Sequence, residues 1–153
     1  MREEKMKTAA SRVVLASAAT FFVMVSIALS EPLTTTTVTP DELKWVKGPL
    51  AMRAVIAGDD KKQGMYVFRA KFPANFKAEP HYHPDEKVNM VISGTLLVGY
   101  GEEFDESKMK ALPAGSIWTE PANQPHFVWA KDGEVVIQVV GNGPSGTTLV
   151  KPK

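Results

Sequence analysis

From Leu50 to Val140 short apolar or β-branched runs recur, divided by clusters of glycine, proline and aspartate. The runs are Ala51–Ala57, Met65–Phe72, Val88–Ile92, Thr95–Tyr100, Ser116–Thr119, His126–Ala130 and Glu134–Val140. Between them lie Gly58–Gly64, Ser93-Gly94, Gly101–Gly115 and Lys131-Asp132-Gly133. Evenly spaced short strands with such turns predict an all-β sandwich or barrel. The longest connection, Gly101–Gly115, reads as a loop with a helical turn around Phe104–Met109. Upstream, Glu31–Thr39 is polar and threonine-rich and reads as a tether. Thr39-Pro40-Asp41-Glu42 has capping-box spacing with proline at the first helical position. Gly48-Pro49 stops what it starts, so a short helical turn carrying Trp45 is expected. No repeat of about 20–50 residues is visible.

The N-terminus has a different pattern. Arg2, Lys5, Lys7 and Arg12 precede an uncharged run over residues 13–29, and Ala28-Leu29-Ser30 offers small residues around a cleavage point. A basic region, an apolar region and a small-x-small site describe a secretory signal peptide. The alternative is an uncleaved anchor, although seventeen uncharged residues lie at the short edge of what crosses a ~30 Å hydrocarbon core. The expected organisation is therefore a signal peptide over 1–30, a tether with a short helical turn over 31–49, and a β-barrel over 50–153. The protein is expected to be exported, periplasmic or secreted, with membrane contact only through the signal segment if that stays uncleaved.

Charge and composition narrow the partners. The chain has 153 residues, 18 Lys+Arg and 17 Asp+Glu, room for one domain. Removing 1–30 takes away four basic and two acidic residues, which leaves 14 and 15 and a formal charge of −1. So even a balance gives no basic footprint for a nucleic acid. The chain has no cysteine, which excludes disulfides, thiolate metal sites and cysteine nucleophiles.

The candidate chemistry lies in three histidines, His81, His83 and His126, the only ones in the chain. His81 and His83 are two apart, which on a strand turns both rings to one face. Two imidazoles held together are half of a divalent-metal site. His126 follows Pro125 and opens a later strand that a neighbouring pairing can bring across. A barrel that has lost its metal, with the histidines as partners in a polar cavity, is the alternative.

The segment NFKAEPHYHPDEKVNMVISG resembles the first motif of the cupins, a glycine, five residues, His-x-His, three or four residues, a glutamate, six residues and a glycine. His81, His83 and Gly94 match; Asn75 stands at the first glycine and Lys87 at the glutamate. GSIWTEPANQPHFVWA resembles the second motif, with Gly115, Pro121 and His126 in register, Asn123 for a glycine and Ala130 for the asparagine. The resemblance implies a cupin double-stranded β-helix, a jelly-roll barrel, and frequently a homodimer. Asn tolerates positive φ, so both turns are expected to survive. Lys87 is the consequential departure, since in cupins that glutamate is commonly a fourth ligand. Charges of +2 and +1 about 6 Å apart repel by roughly 5 kcal/mol at an effective dielectric of about 20. Lys87 must therefore turn outward, lose its proton, or share the site with an anion. An open three-histidine site is expected first, with Glu86 brought round by a bulge as the substitute. Asp85 and Glu79 share the nominal alternation of the histidine pair.

The resemblance implies a metalloenzyme with iron, manganese, nickel, copper or zinc, and most plausibly a dioxygenase acting on a chelating anion that Lys87 attracts or orients. A non-catalytic metal-binding or small-ligand-binding cupin, and a structural barrel with a protein partner, are the other classes. Gly141–Gly146 spells G-x-G-x-x-G but contains a proline and precedes no helix, so it reads as a turn. Trp118, Trp129 and the methionines read mainly as core, with one tryptophan available to line a pocket, and Gln138 as a residue facing the cavity.

Overall fold

The alternation does give strands. The fold is described from a computed structural model over residues 32–48 and 50–151. The signal segment expected over 1–30 lies outside the described residues. The strands are β1 (Val46–Lys47), β2 (Met52–Ala57), β3 (Gly64–Phe72), β4 (Phe76–Tyr82), β5 (Lys87–Ser93), β6 (Thr95–Tyr100), β7 (Lys110–Pro113), β8 (Ile117–Glu120), β9 (His126–Ala130), β10 (Val135–Gly143) and β11 (Thr148–Leu149). One antiparallel sheet runs β1-β2-β3-β10-β5-β8 and the other β11-β4-β9-β6-β7. Their inner faces share one core containing Phe72, Val91, Leu96, Val128, Val135 and Ile137. The period-2 pattern holds along β10, where Val135, Ile137, Val139, Gly141 and Gly143 are buried. The same alternation leaves Gln138 half-buried on the opposite face and not in the cavity.

Two strands escape the apolar pattern. β4, FKAEPHY, carries Lys77 and Glu79 on its exposed side and Ala78, Pro80 and His81 on its buried side. Pro80 has no N–H to donate, and the pairing of β4 with β9 shifts register between Ala78 and His81. β7 lies inside the segment read as a loop and pairs with β6, Leu112 facing Leu96. The helical turn expected there is present just before it, at Glu106–Lys108, with Asp105 accepting from the Ser107 amide at 3.0 Å.

At the other end, Pro40–Glu42 forms a 3₁₀ turn, and the Glu42 carboxylate accepts the Thr39 amide at 2.7 Å. Trp45 lies beyond this turn and not on it; its ring sits 4.8 Å beneath Lys71 Nζ. β1 pairs with β2 and so extends the first sheet into the segment read as tether. Asn75 and Asn123 hold φ of 62° and 59°, as their replacement of glycine required. Gly141–Gly143 of the glycine motif closes β10 and is not a free turn. A Cβ on Gly141 would lie 2.2 Å from the Tyr66 hydroxyl oxygen, so the glycine is there to admit that phenol.

Candidate metal centre

Strand pairing brings the histidines together. His81 near the end of β4 stands directly opposite His126 at the start of β9. His83 follows one residue past β4, half-buried on the same side. Ring centroids are 4.4 Å apart for His81 and His126, 5.1 Å for His81 and His83, and 5.2 Å for His83 and His126. One ligand nitrogen from each lies within 4.8 Å of the others.

The backbone fixes which nitrogen that is. His81 Nδ1 donates to Glu79 O at 2.7 Å, His83 Nδ1 to Gly146 O at 2.5 Å, and His126 Nδ1 to Gln124 O at 3.1 Å. A neutral imidazole protonated at Nδ1 keeps its lone pair on Nε2, the arrangement typical of metal-ligating histidine. Burial keeps the rings neutral. It depresses His81, with His126 adding to it, and depresses His126, with Lys87 adding to it. Burial and then Lys87 bring His83 down to about 4. Among the described residues, this donor set of convergent, neutral and pre-oriented imidazoles fits a divalent transition metal.

Lys87 does not turn outward. Its side chain is 5% exposed, its ammonium donates to Asp85 Oδ1 at 3.0 Å, and the Tyr66 hydroxyl donates to Asp85 Oδ2. The anion that Lys87 shares is thus the protein's own. Burial lowers Lys87 from the usual lysine range, although Asp85 opposes this. Burial alone would raise Asp85, but hydrogen bonds from Tyr66, Ser145 and Lys87 hold it below the ordinary carboxylate value. Burial and the bond to Asp85 push Tyr66 upward, so it remains a donor. Of the three outcomes expected for Lys87, sharing the site with an anion is the one found.

The expected substitute, Glu86, is exposed, because no bulge interrupts the alternation Asp85, Lys87, Asn89 on the inner side. The Glu79 side chain is exposed too, and only its carbonyl serves the site. The carboxylate that does face the histidines is Glu120 on β8, which sequence reasoning missed. Its Oε1 lies 3.4 Å from His126 Nε2 and its Oε2 lies 3.6 Å from His83 Nε2. Trp118 Nε1 donates to Oε1 at 3.1 Å. Glu120 stands two residues after the apolar Trp118 and so shares its inward face, a signal readable by period alone.

The site opens on a cavity of about 490 Å³, walled by Phe68, Phe72, Trp118, Val128, Ile137 and Val139 among others. Lys87 and Asn89 also line it. Arg53 lies on the same lining, stacked 3.8 Å over Phe68 and paired with Asp60 at 3.0 Å. Asn89 is buried with neither side-chain amide atom hydrogen-bonded. Trp129 has no place in the cavity; Lys77 lies 4.0 Å over its ring, and Phe104 packs against it.

Two antiparallel sheets closed around one core, with histidines from paired strands at its cavity, make this a cupin-fold protein. Solved structures agree. The polyketide cyclase RemF from Streptomyces resistomycificus superposes with a TM-score of 0.63 at 17% identity, over 78% of this chain and 88% of that one. A conserved protein with a double-stranded β-helix domain from Klebsiella pneumoniae gives 0.60 at 19% identity, over 78% and 100%. An RmlC-like cupin from Shewanella frigidimarina gives 0.56 at 15% identity, over 72% and 94%. The chain belongs to the family described as Domain of unknown function (DUF4437), whose profile spans residues 38–153. No curated protein matches its sequence.

Proposed function

We propose that this chain is an exported, metal-dependent small-molecule enzyme of the dioxygenase type, acting on a chelating anionic substrate. His81, His83 and His126 would hold the ion, and Lys87 would orient the anion. The observation that carries the reading is that all three rings spend Nδ1 on a backbone carbonyl and turn Nε2 to a common point. When bound, a divalent ion supplies Lewis-acid polarisation and, for iron, manganese or copper, a one-electron centre.

The chain's own groups do the rest. The apolar walls would shield the inner side of a bound substrate from water, which strengthens the charge interactions there. Lys87 keeps further N–H donors beyond the one given to Asp85, and these are available to an anionic oxygen. Among these interior groups the formal charges are +1 at Lys87 and −1 each at Asp85 and Glu120, so a divalent ion makes their total +1. That balance favours a monoanion over a neutral ligand.

A second reading, a cupin that holds metal or a small ligand without turnover, draws on the Lys87–Asp85 pair, which already satisfies part of the lysine's charge within the protein. Export through the N-terminal segment and a homodimer belong to the proposal as well. Elemental analysis of the protein purified from its native compartment tests the metal. Oxygen uptake by iron-loaded protein with β-diketones, thiols and catechols tests the reaction. Stoichiometric metal with no uptake on any of them would favour the binding module.

A further inference from the structure

We infer that Glu120 is the fourth ligand of this centre, a carboxylate presented from β8 that replaces the one absent at position 87 on β5. The inference rests on the metal-binding reading above. Lys87 and Glu120 are direct cross-strand partners in the ladder of β5 and β8. A carboxylate therefore stands one rung across from Lys87, beside the same cavity.

Glu120 Oε1 and Oε2 stand 3.4 Å and 3.6 Å from the Nε2 atoms of His126 and His83. No proton bridges either gap, because each ring carries its hydrogen on Nδ1, committed to Gln124 O and Gly146 O. Carboxylate lone pairs thus face imidazole lone pairs, a repulsive arrangement that a cation between them would relieve. Donor atoms bound to one ion at about 2.1 Å stand roughly 3.0–3.4 Å apart in octahedral or tetrahedral sites. The observed separations are near that range.

The carboxylate is also built in. Glu120 is 7% exposed, and Trp118 Nε1 holds Oε1 in place. A buried carboxylate calls for a positive partner. Lys87 would be the obvious one, but its ion pair is with Asp85. The Tyr66–Asp85–Lys87 chain of hydrogen bonds draws the ammonium to that side and leaves Glu120 to the histidines.

The test uses the full chain, stripped with a chelator and titrated with Zn²⁺ against a chromophoric competitor. Glu120→Gln keeps the shape and removes the charge, and should weaken Zn²⁺ binding by at least about tenfold. Glu120→Cys gives an independent readout. The chain has no cysteine, so a sulfur-to-metal charge-transfer band on Co²⁺ loading would put residue 120 on the ion. That band decides the matter if Glu120→Gln does not fold. Wild-type affinity in Glu120→Gln together with no band in Glu120→Cys overturns this assignment and leaves a three-histidine site. A wild-type chain that binds neither Zn²⁺ nor Co²⁺ overturns the metal reading itself.

Discussion

Asp85→Asn would strand the Lys87 ammonium in the barrel. The two side chains are 5% and 4% exposed and their charged atoms are 3.0 Å apart. At an effective dielectric of about 20, that separation is worth roughly 5 kcal/mol of attraction, comparable with the several kcal/mol needed to desolvate each ion. The pair is therefore close to neutral as a unit and expensive to break singly. Asparagine also has one oxygen where Asp85 uses two, one for Lys87 and one for Tyr66. The expected loss is about 3–5 kcal/mol, a large share of the roughly 5–15 kcal/mol that holds a domain folded.

Lys87→Met alone leaves the Asp85 carboxylate with only its neutral donors and should cost a similar amount. The double variant should return to within about 1 kcal/mol of wild type, because both charges leave together. Equilibrium denaturation by urea, followed by tryptophan fluorescence in the presence of a chelator, measures all four proteins without metal linkage. The coupling energy should exceed about 2 kcal/mol. Additive losses, with coupling below about 0.5 kcal/mol, would show that the pair is not the electrostatic unit described.

Acid should weaken the metal-free protein. His83 is held at about 4 against 6.5 for the free side chain, and His81 and His126 are depressed in the same direction. Between those values the unfolded chain binds protons that the native one refuses, so stability falls as pH drops from about 6.5 toward 4, by ~3 kcal/mol from His83 alone. Denaturation midpoints unchanged between about pH 7 and pH 5 would contradict this. Metal binding should weaken over the same window, since protons compete for Nε2. Asn89→Leu removes an amide whose oxygen and nitrogen are both unbonded and should stabilise the fold by about 1–3 kcal/mol in thermal melts; a lower melting temperature would mean the amide is satisfied in solution. Gly141→Ala places a Cβ 2.2 Å from the Tyr66 hydroxyl and should cost at least about 1–3 kcal/mol, with unchanged stability refuting the close approach.

Much of the barrel was legible because burial follows a period of two. The inward positions of β10 are apolar or glycine throughout, whereas β5 was found through its apolar run although Lys87 and Asn89 point inward. β4 was overlooked because its inward positions are alanine, proline and histidine and its outward ones are charged. β7 was overlooked because four residues show too little of any pattern. The histidine trio was legible from spacing, since His81 and His83 share a side and His126 opens the strand that pairs with β4. The identity of Lys87's counter-ion was not. Asp85 precedes it by two, yet only the packing of Tyr66 against Gly141 shows that the carboxylate is fixed there. The inward facing of Glu120 was readable from the period, but its place beside the histidines was not, because the motif directs attention to position 87 and cross-strand register is invisible in a single chain.

Register also explains why the site has the charge it has. The histidines come from the second sheet, His81 and His126 on paired strands β4 and β9 and His83 just beyond β4. Lys87 and Glu120 come from the first sheet, on paired strands β5 and β8. Before any ion is added, the two sheets meet here through neutral imidazoles on one side and charged groups on the other. An ion held by the three imidazoles and Glu120 would join the sheets at their polar end, opposite in kind to the apolar contacts that join them elsewhere. Its binding energy would then be folding energy, available only to a chain whose sheets are already in register.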